Sequence, residues 1–193
     1  LYSCTYETVD QESKNNEENE ITIVNSVNEL RNIKDIKDGQ YIRTRAYYKN
    51  SVGGEGLYQK IEDNSSIDDG GCIIIANDGS TYQLVIENQV SLKQFGAKGD
   101  GVTGDHDAIQ YACDCAIKNN IPVYAEAGTY IIDWGQVGTP DIRINVVDKP
   151  NQNFSLIGAG KDLTIFKEED GKTNKGGRYT KMFYVYLNQS NDV

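Results

Sequence analysis

The feature that most constrains the fold lies within residues 90–133, where a glycine-rich segment leads into an amphipathic helix and then into a second apolar segment. Gly96, Gly99 and Gly101 fall within six residues. Because glycine accepts positive φ, the backbone is expected to turn sharply there. The next apolar residues have the spacing of one helical face: Ile109, Ala112, Cys113, Ala116 and Ile117. A stripe this narrow covers one surface only, so the sequence predicts a helix over 106–119 that lies on a single apolar partner.

The ends of this helix are also marked in the sequence. Thr103 and Asp105 precede it and offer side-chain oxygens to its unpaired amides, so both are predicted to cap the helix start. Asn119 and Asn120 end the helix. Pro122 suits the first residues of a strand, so a return to extended structure is predicted directly after the helix.

The same segment resembles the opening motif of the pectate-lyase-like superfamily, in which a phrase such as FGAKGDGVTDDTxAIQ is followed by VYxPxGTY. Here residues 95–110 read FGAKGDGVTGDHDAIQ and residues 123–130 read VYAEAGTY. Three positions depart from the pattern: Gly104 stands where Asp is more frequent, His106 where Thr is frequent, and Glu126 where Pro is common. These positions lie at the helix start and at a turn, so altered capping with the same fold is expected.

The resemblance implies a mainly β fold. In this superfamily the helix caps the open end of a right-handed parallel β-helix and hides apolar and edge groups that would otherwise invite aggregation. Residues 93–193 are therefore expected to form an N-terminal cap helix and the first rungs. Short apolar runs separated by Gly, Asn or Asp fit such rungs, at 141–147, 153–157, 162–167 and 179–187.

Residues 21–92 are predicted to form a small mixed α+β connector module. Ser26 and Glu29 form a capping-box pattern for a short helix to about Lys34. Residues 77–80 predict a hairpin turn between two strands. Strand patterns occur at 21–24, 41–48, 56–61, 72–76 and 81–86.

Three phrases of this module resemble the connector that precedes the same opening motif in phage tailspikes. They are YY at 47–48, GGEGLY at 53–58 and DDGG at 68–71. Ahead of the connector, residues 10–20 are a charged run with almost no apolar side chains, so residues 1–20 are predicted to be a flexible acidic leader.

Charge and composition exclude two classes of partner. The net charge is −10 and the pI is about 4.6, which repels phosphate backbones, so no nucleic-acid partner is expected. No apolar run approaches 18 residues, so no membrane partner is expected. The chain starts at Leu1 without the pattern of a signal peptide, and it is expected to be a piece of a longer protein.

The four cysteines are predicted to be free thiols. Cys113 and Cys115 are two residues apart on a helix, so they point in different directions and cannot bridge each other. Cys72 opens an apolar run and Cys4 lies in the polar leader. Free thiols are typical of a protein assembled in a reducing host cytoplasm.

Several groups have a chemical interpretation that we weigh against a structural one. His106 with Cys113 and Cys115 has the residue types of a zinc site, but two helical turns separate His106 from Cys113. The acid pairs at 105 and 107 and at 68 and 69 suggest glycoside cleavage, but helix-start charge and loop solvation are favoured.

Three further patterns also favour a structural interpretation. The stretch 158–161, GAGK, lacks the earlier Gly and the following Ser or Thr of a phosphate loop, so a turn is preferred. The 13 Tyr are favoured as core and ladder residues over sugar-stacking platforms. Asn64 begins a glycosylation sequon that has no use in a phage. No metal site and no cofactor site is predicted, and catalytic residues stay unknown.

Three hypotheses of function follow. The first is the N-terminal structural and adhesion part of a trimeric phage tailspike or appendage protein. The second is part of a polysaccharide or teichoic-acid depolymerase, and the third is part of a secreted bacterial pectate-lyase-like enzyme. The first is preferred for these residues, because in the superfamily the catalytic carboxylates lie on later rungs or between subunits. The resemblance leaves open whether the longer protein hydrolyses or eliminates a glycan.

The preferred hypothesis carries expectations about partners and location. The partners would be two further copies of the chain in a homotrimer, other virion proteins through the N-terminal region, and a host cell-surface polysaccharide or teichoic acid. The location would be the virion, in its tail or appendage, after assembly in the host cytoplasm.

Overall fold

A computed structural model describes residues 21–63, 65–133, 141–146, 153–169 and 182–187. The expected leader at 1–20 and Asn64 of the sequon lie outside the described residues. In the described part the protein is mainly β, with two α-helices and one 3₁₀ helix. None of these helices is long and apolar enough to cross a membrane.

The segment predicted to be a connector, residues 21–92, contains one five-stranded sheet with the order β1-β2-β3-β5-β4. Its elements are β1 (Thr22–Val24), α1 (Val27–Arg31), β2 (Tyr41–Thr44), β3 (Gly56–Ile61), β4 (Ile73–Ile75) and β5 (Thr81–Leu84). β1 pairs parallel with β2 and the other pairs are antiparallel. Alternate side chains on the strands face the core, among them the fully buried Ile42, Tyr58 and Ile74.

The local patterns of the connector are largely confirmed. β3 has the predicted bounds, and the hairpin turn closes through Ala76 N–H donating to Ser80 O at 2.8 Å, with Gly79 at φ +88°. The helix is shorter than predicted. Ser26 caps it, but Glu29 accepts from the amide of Asn25, so only half of the capping box forms.

The second β region follows directly along the chain. Its elements are β6 (Val90–Ser91), the 3₁₀ helix Leu92–Phe95, β7 (Asp100–Gly104), α2 (His106–Asn119), β8 (Val123–Ala125), β9 (Gly128–Ile132), β10 (Ile142–Val146), β11 (Leu156–Gly158), β12 (Thr164–Glu168) and β13 (Phe183–Leu187). They form three parallel sheets, β11-β8-β6, β12-β9-β7 and β10-β13. Each later strand thus lies beside an earlier strand of the same direction.

Helix α2 has the bounds that its periodicity predicts. The buried face includes Ile109, Ala112, Cys113 and Ala116, while Ile117 is partly buried. Asn120 ends the helix in the left-handed conformation at φ +54°. The helix lies against the 3₁₀ helix, β6, β8 and β10. Burying a side chain of the size of Ile109 stabilises the fold by about 1.5–3 kcal/mol.

The prediction of four free thiols is wrong. Cys72 and Cys115 form a disulfide with a Cα–Cα distance of 6.4 Å, and Cys113 is a free, buried thiol whose pKa is raised by burial. The two bonded cysteines are 43 positions apart in the sequence, and packing of the connector sheet near α2 brings them together. Cys4 lies outside the described residues.

Candidate functional site at the junction of the two β regions

The two β regions meet where the glycine-rich phrases of the connector contact residues 93–99. A Cβ on Gly96 would lie 2.7 Å from the Tyr47 ring, and a Cβ on Gly71 would lie inside contact distance of the Phe95 ring. Gly54 is packed against the backbone carbonyl of Lys93 in the same way. The phrases at 47–48, 53–58 and 68–71 are therefore close-packing motifs that fix the connector against the second region.

Asp105 holds the glycine-rich loop in its turn. Its side chain is 2% exposed and accepts the amides of Lys98 at 2.6 Å and Gly99 at 3.1 Å. Burial raises the pKa of this carboxyl, and the two hydrogen bonds offset that effect only in part. The predicted capping role is wrong, because Asp105 makes no side-chain bond to the start of α2.

A residue from a distant part of the chain accepts a hydrogen bond from the first amide of α2. Asp133, just after β9, accepts the amide of His106 at 3.3 Å. Thr103 also does not cap α2, because its hydroxyl donates to Asp100 at 2.8 Å within the glycine-rich loop. Asp133 was missed because no local sequence pattern links it to a helix that begins so much earlier.

The zinc interpretation finds no support in the geometry. His106 is buried, with Nδ1 3.0 Å from Asp107 and Nε2 3.4 Å from the carbonyl of Asp141. Cys115 is held in the disulfide. Across the described ranges, no three His, Cys, Asp or Glu side chains gather as metal ligands.

Asp68 and Asp69 organise the loop before β4. Burial alone would raise the pKa of Asp68, but Arg31 and the amides of Ile75 and Gly70 donate to it, so its pKa is lowered. Burial raises the pKa of Asp69, although the amides of Gly71 and Ile73 donate to it. Both carboxylates are committed to the loop, which is a structural role rather than acid/base chemistry.

The GAGK stretch forms a turn rather than a phosphate loop. The amide of Ala159 lies 2.9 Å from the hydroxyl oxygen of Thr164 and 3.0 Å from the carbonyl of Ala125. Since this amide is already used within the fold, it does not offer a free donor to an anion.

Some of the described tyrosines are core residues, and two others line the junction. Tyr58, Tyr82 and Tyr130 are buried, as the favoured interpretation predicted. Tyr47 and Tyr48 instead line a cleft at the junction. Burial is the main cause that raises the pKa of Tyr47 to about 12.

Two open clefts flank the junction. One of about 450 Å³ is polar and is lined by Arg43, Glu55, Glu87, Gln94 and neighbouring residues. The other, of about 510 Å³, combines the rings of Tyr47 and Tyr48 with the side chains of Lys93 and Lys98. In this second cleft aromatic faces and cationic groups converge on one space.

Two family models match successive parts of the chain. The first, described as phage tail protein small four-stranded beta-sheet domain, matches residues 23–87. The second, described as rhamnogalacturonase A/epimerase, pectate lyase-like, matches residues 89–190.

Curated relatives share only a limited segment with this chain. Alginate lyase 7 of Azotobacter vinelandii is 38% identical over 88 residues, which are 45% of this chain and 10% of that protein. The preneck appendage protein of Bacillus phage PZA is 37% identical over 81 residues, which are 42% of this chain and 8% of that protein. The chain thus spans about a tenth or less of the length of these relatives.

Solved structures resemble the fold at low sequence identity. The gp42 tailspike of an Acinetobacter phage aligns with a TM-score of 0.57 and 21% identity, over 76% of this chain and 23% of that chain. WceF of Pantoea stewartii, a glycan biofilm modifying enzyme with a tailspike-like parallel β-helix fold, aligns with a TM-score of 0.54 and 23% identity, over 76% of this chain and 24% of that chain.

Proposed function

Because this chain belongs to the rhamnogalacturonase A/epimerase, pectate lyase-like family, we propose that it is the N-terminal part of a phage tailspike or appendage protein that binds a host cell-surface glycan. The observation that carries the proposal is the order of two units. A sheet region matched to a phage tail domain leads directly into parallel strands matched to the lyase-like family. A phage appendage relative and tailspike neighbours of the fold support the same assignment.

The proposed architecture has three parts. Residues 1–20 form a leader, residues 21–92 a connector, and residues 93–193 a cap helix with the first rungs of a right-handed parallel β-helix. The parallel pairing of β6, β8 and β11 and of β7, β9 and β12 supports the rungs. The apolar face of α2 then covers the end of the stack, which would otherwise expose its core.

The junction fixes the connector relative to these rungs. The close-packed glycines and the Cys72–Cys115 disulfide link the two regions and resist a change of angle between them. A fixed angle suits a spike that is held by its N-terminal side on the virion and contacts glycan with later rungs. We propose that the working assembly is a homotrimer in the virion, formed in the host cytoplasm.

The acids that the sequence singled out have structural contacts. Asp68, Asp69 and Asp105 each accept hydrogen bonds from backbone amides, so attachment is the function that we propose for residues 1–193. Cleavage of the glycan, by hydrolysis or by elimination, is therefore proposed only for the longer protein.

The test compares residues 1–193 with the full-length protein. Light scattering should show a trimer for the full-length protein, and host-envelope polysaccharide should bind it. Reducing-end and unsaturated-product assays should detect no turnover by residues 1–193. Robust turnover by residues 1–193, or a strictly monomeric full-length protein, would refute the proposal.

A second candidate is a secreted bacterial enzyme, which the identity to alginate lyase 7 favours. The match of residues 23–87 to a phage tail domain favours the spike instead. The complete gene separates the two. A signal peptide would support the secreted enzyme, and neighbouring virion genes without a signal peptide would support the spike.

A further inference from the structure

The cleft at the junction has a rigid aromatic wall, formed by Tyr47 and Tyr48. Their ring centroids are 4.8 Å apart with an interplanar angle of 67°. The hydroxyl of Tyr48 donates to the carbonyl of Gly96 at 2.8 Å, which fixes the ring, and 42% of this residue is exposed. An immobilised, partly exposed aromatic ring is suited to stacking against an apolar face of a ligand.

Two lysines, Lys93 and Lys98, line the same cleft as this wall. The stem of Lys93 crosses Gly53, where a Cβ would lie 2.7 Å from Lys93 Cδ. Lys98 Nζ lies 5.5 Å from the centre of the Tyr48 ring. In the described part of the chain, neither lysine forms an ion pair.

The acid at the rim of the cleft is already engaged. Asp100 accepts the amides of Val102 at 2.9 Å and Thr103 at 2.7 Å, and it accepts the Thr103 hydroxyl at 2.8 Å. Asp100 keeps its negative charge, because the amides of Thr103 and Val102 and also the charge of Lys98 lower its pKa, but Lys98 and Asp100 form no ion pair among the described residues. This local arrangement contrasts with a chain whose net charge is −10.

From this geometry we propose that the cleft binds an acidic saccharide unit, a sugar or polyol unit that carries a carboxylate or a phosphate group. The sugar would contact the exposed part of Tyr48, and its anionic group would pair with Lys93 and with Lys98, whose ammonium lies over the Tyr48 ring. The inference rests on the proposed function, since it requires a glycan partner. It goes further by placing a glycan contact at the junction rather than on later rungs.

The alternative occupants fit less well. A neutral sugar would leave both ammonium groups unpaired beside it. A nucleic acid would bring many phosphates against a chain of net charge −10 and would be repelled outside the cleft. The volume of about 510 Å³ suits one or two saccharide units rather than a protein surface.

The experiment uses the full-length protein and three short ligands: an oligomer of hexuronic acid, an oligomer of glycerol phosphate and a neutral maltooligosaccharide. The first measurement is the rate at which an amine-reactive reagent labels each lysine, read by mass spectrometry. An acidic oligomer should slow labelling of Lys93 and Lys98 but not of the exposed Lys118 on α2. The neutral oligomer should slow none. Protection by only one acidic oligomer identifies whether carboxylate or phosphate is the natural group.

The second measurement is the Kd of the protective oligomer. Replacing both lysines, Lys93→Gln with Lys98→Gln, should weaken binding about tenfold or more, because each supplies a charged hydrogen bond. Lys98→Arg should retain binding, and Lys118→Gln should leave it unchanged. Thermal melts of the variants confirm that the fold is intact.

The outcomes separate this inference from the proposed function. Unchanged labelling of Lys93 and Lys98 in a protein that binds host glycan would overturn the junction site and leave the proposed function standing. Loss of binding to all host glycans in the wild type, with lysine protection by an acidic oligomer, would overturn the proposed function and support the site.

Discussion

Breaking the Cys72–Cys115 disulfide should lower the stability of the protein, because the bond joins the connector to α2. The two cysteines are separated by 43 positions in the sequence. In the chain-entropy account of disulfides, closing a loop of this length removes about 4 kcal/mol of unfolded-state entropy at 25 °C. For a chain of this size, that loss corresponds to a decrease in Tm of about 8–16 °C.

The assay compares thermal melts with and without a reducing agent. The wild-type Tm should fall on reduction, whereas the Tm of a Cys72→Ser, Cys115→Ser double variant should not respond. Cys113→Ser is the matched control for exchanging a buried thiol for a hydroxyl, because Cys113 is free. This variant should be less stable than wild type but should keep the full response to reductant.

Counting thiols provides an independent check on the bond. Denatured protein that has not been reduced should expose two fewer reactive thiols than the same protein after reduction. If all four cysteines react before reduction, or if the wild-type Tm is the same with and without reductant, the disulfide and the stability that we derive from it are wrong.

Three more predictions concern the helix and the junction. Ile109→Asp buries a charge on the covered face of α2 and should lower the free energy of unfolding by about 3 kcal/mol or more. Lys118→Asp on the exposed face should lower it little, as measured by chemical denaturation. Equal losses would show that α2 covers no core. Gly96→Ala should lower the Tm by more than Gly79→Ala. Both glycines have positive φ near +90°, but only at Gly96 would the added Cβ meet a neighbour, the Tyr47 ring. Equal shifts in Tm would contradict this packing. The pKa of Asp105 is raised in the fold, so its ionisation opposes folding. The stability of wild type relative to Asp105→Asn should therefore fall as pH rises from about 3.9 through the folded pKa. Urea unfolding at several pH values measures this difference, and a relative stability that rises over that window would refute the raised pKa.

The sequence predicted those elements whose determinants are local. The stripe from Ile109 to Ala116 repeats with the helical period, and Asn120 takes the left-handed conformation that ends the helix, so α2 has the expected bounds. Strand β3 and the turn at Gly79 are set by alternation and by one residue that accepts positive φ. In each case the deciding interactions lie within a few positions of the chain.

The features that escaped prediction depend on contacts between distant segments. Asp105 was expected to cap α2, but tertiary packing turns it toward the amides of Lys98 and Gly99, and Asp133 serves the helix start instead. The pairing of Cys72 with Cys115 likewise depends on how the sheet packs on the helix. The phrase at 47–48 and the motif at 95–110 were recognised separately, but only the fold places Tyr47, Tyr48, Lys93 and Lys98 around one space.

The register of the parallel strands has a consequence for how such a protein can change. Val90, Val123 and Leu156 are partners at equal intervals along the chain, whereas Asp100, Thr129 and Ile165 are partners at unequal intervals. Extra residues are therefore absorbed between strands while the strands keep their neighbours. The length of the connections between strands can therefore be altered by evolution or by an engineer. Residues added there extend the outer surface of the stack and leave the parallel strand pairing intact.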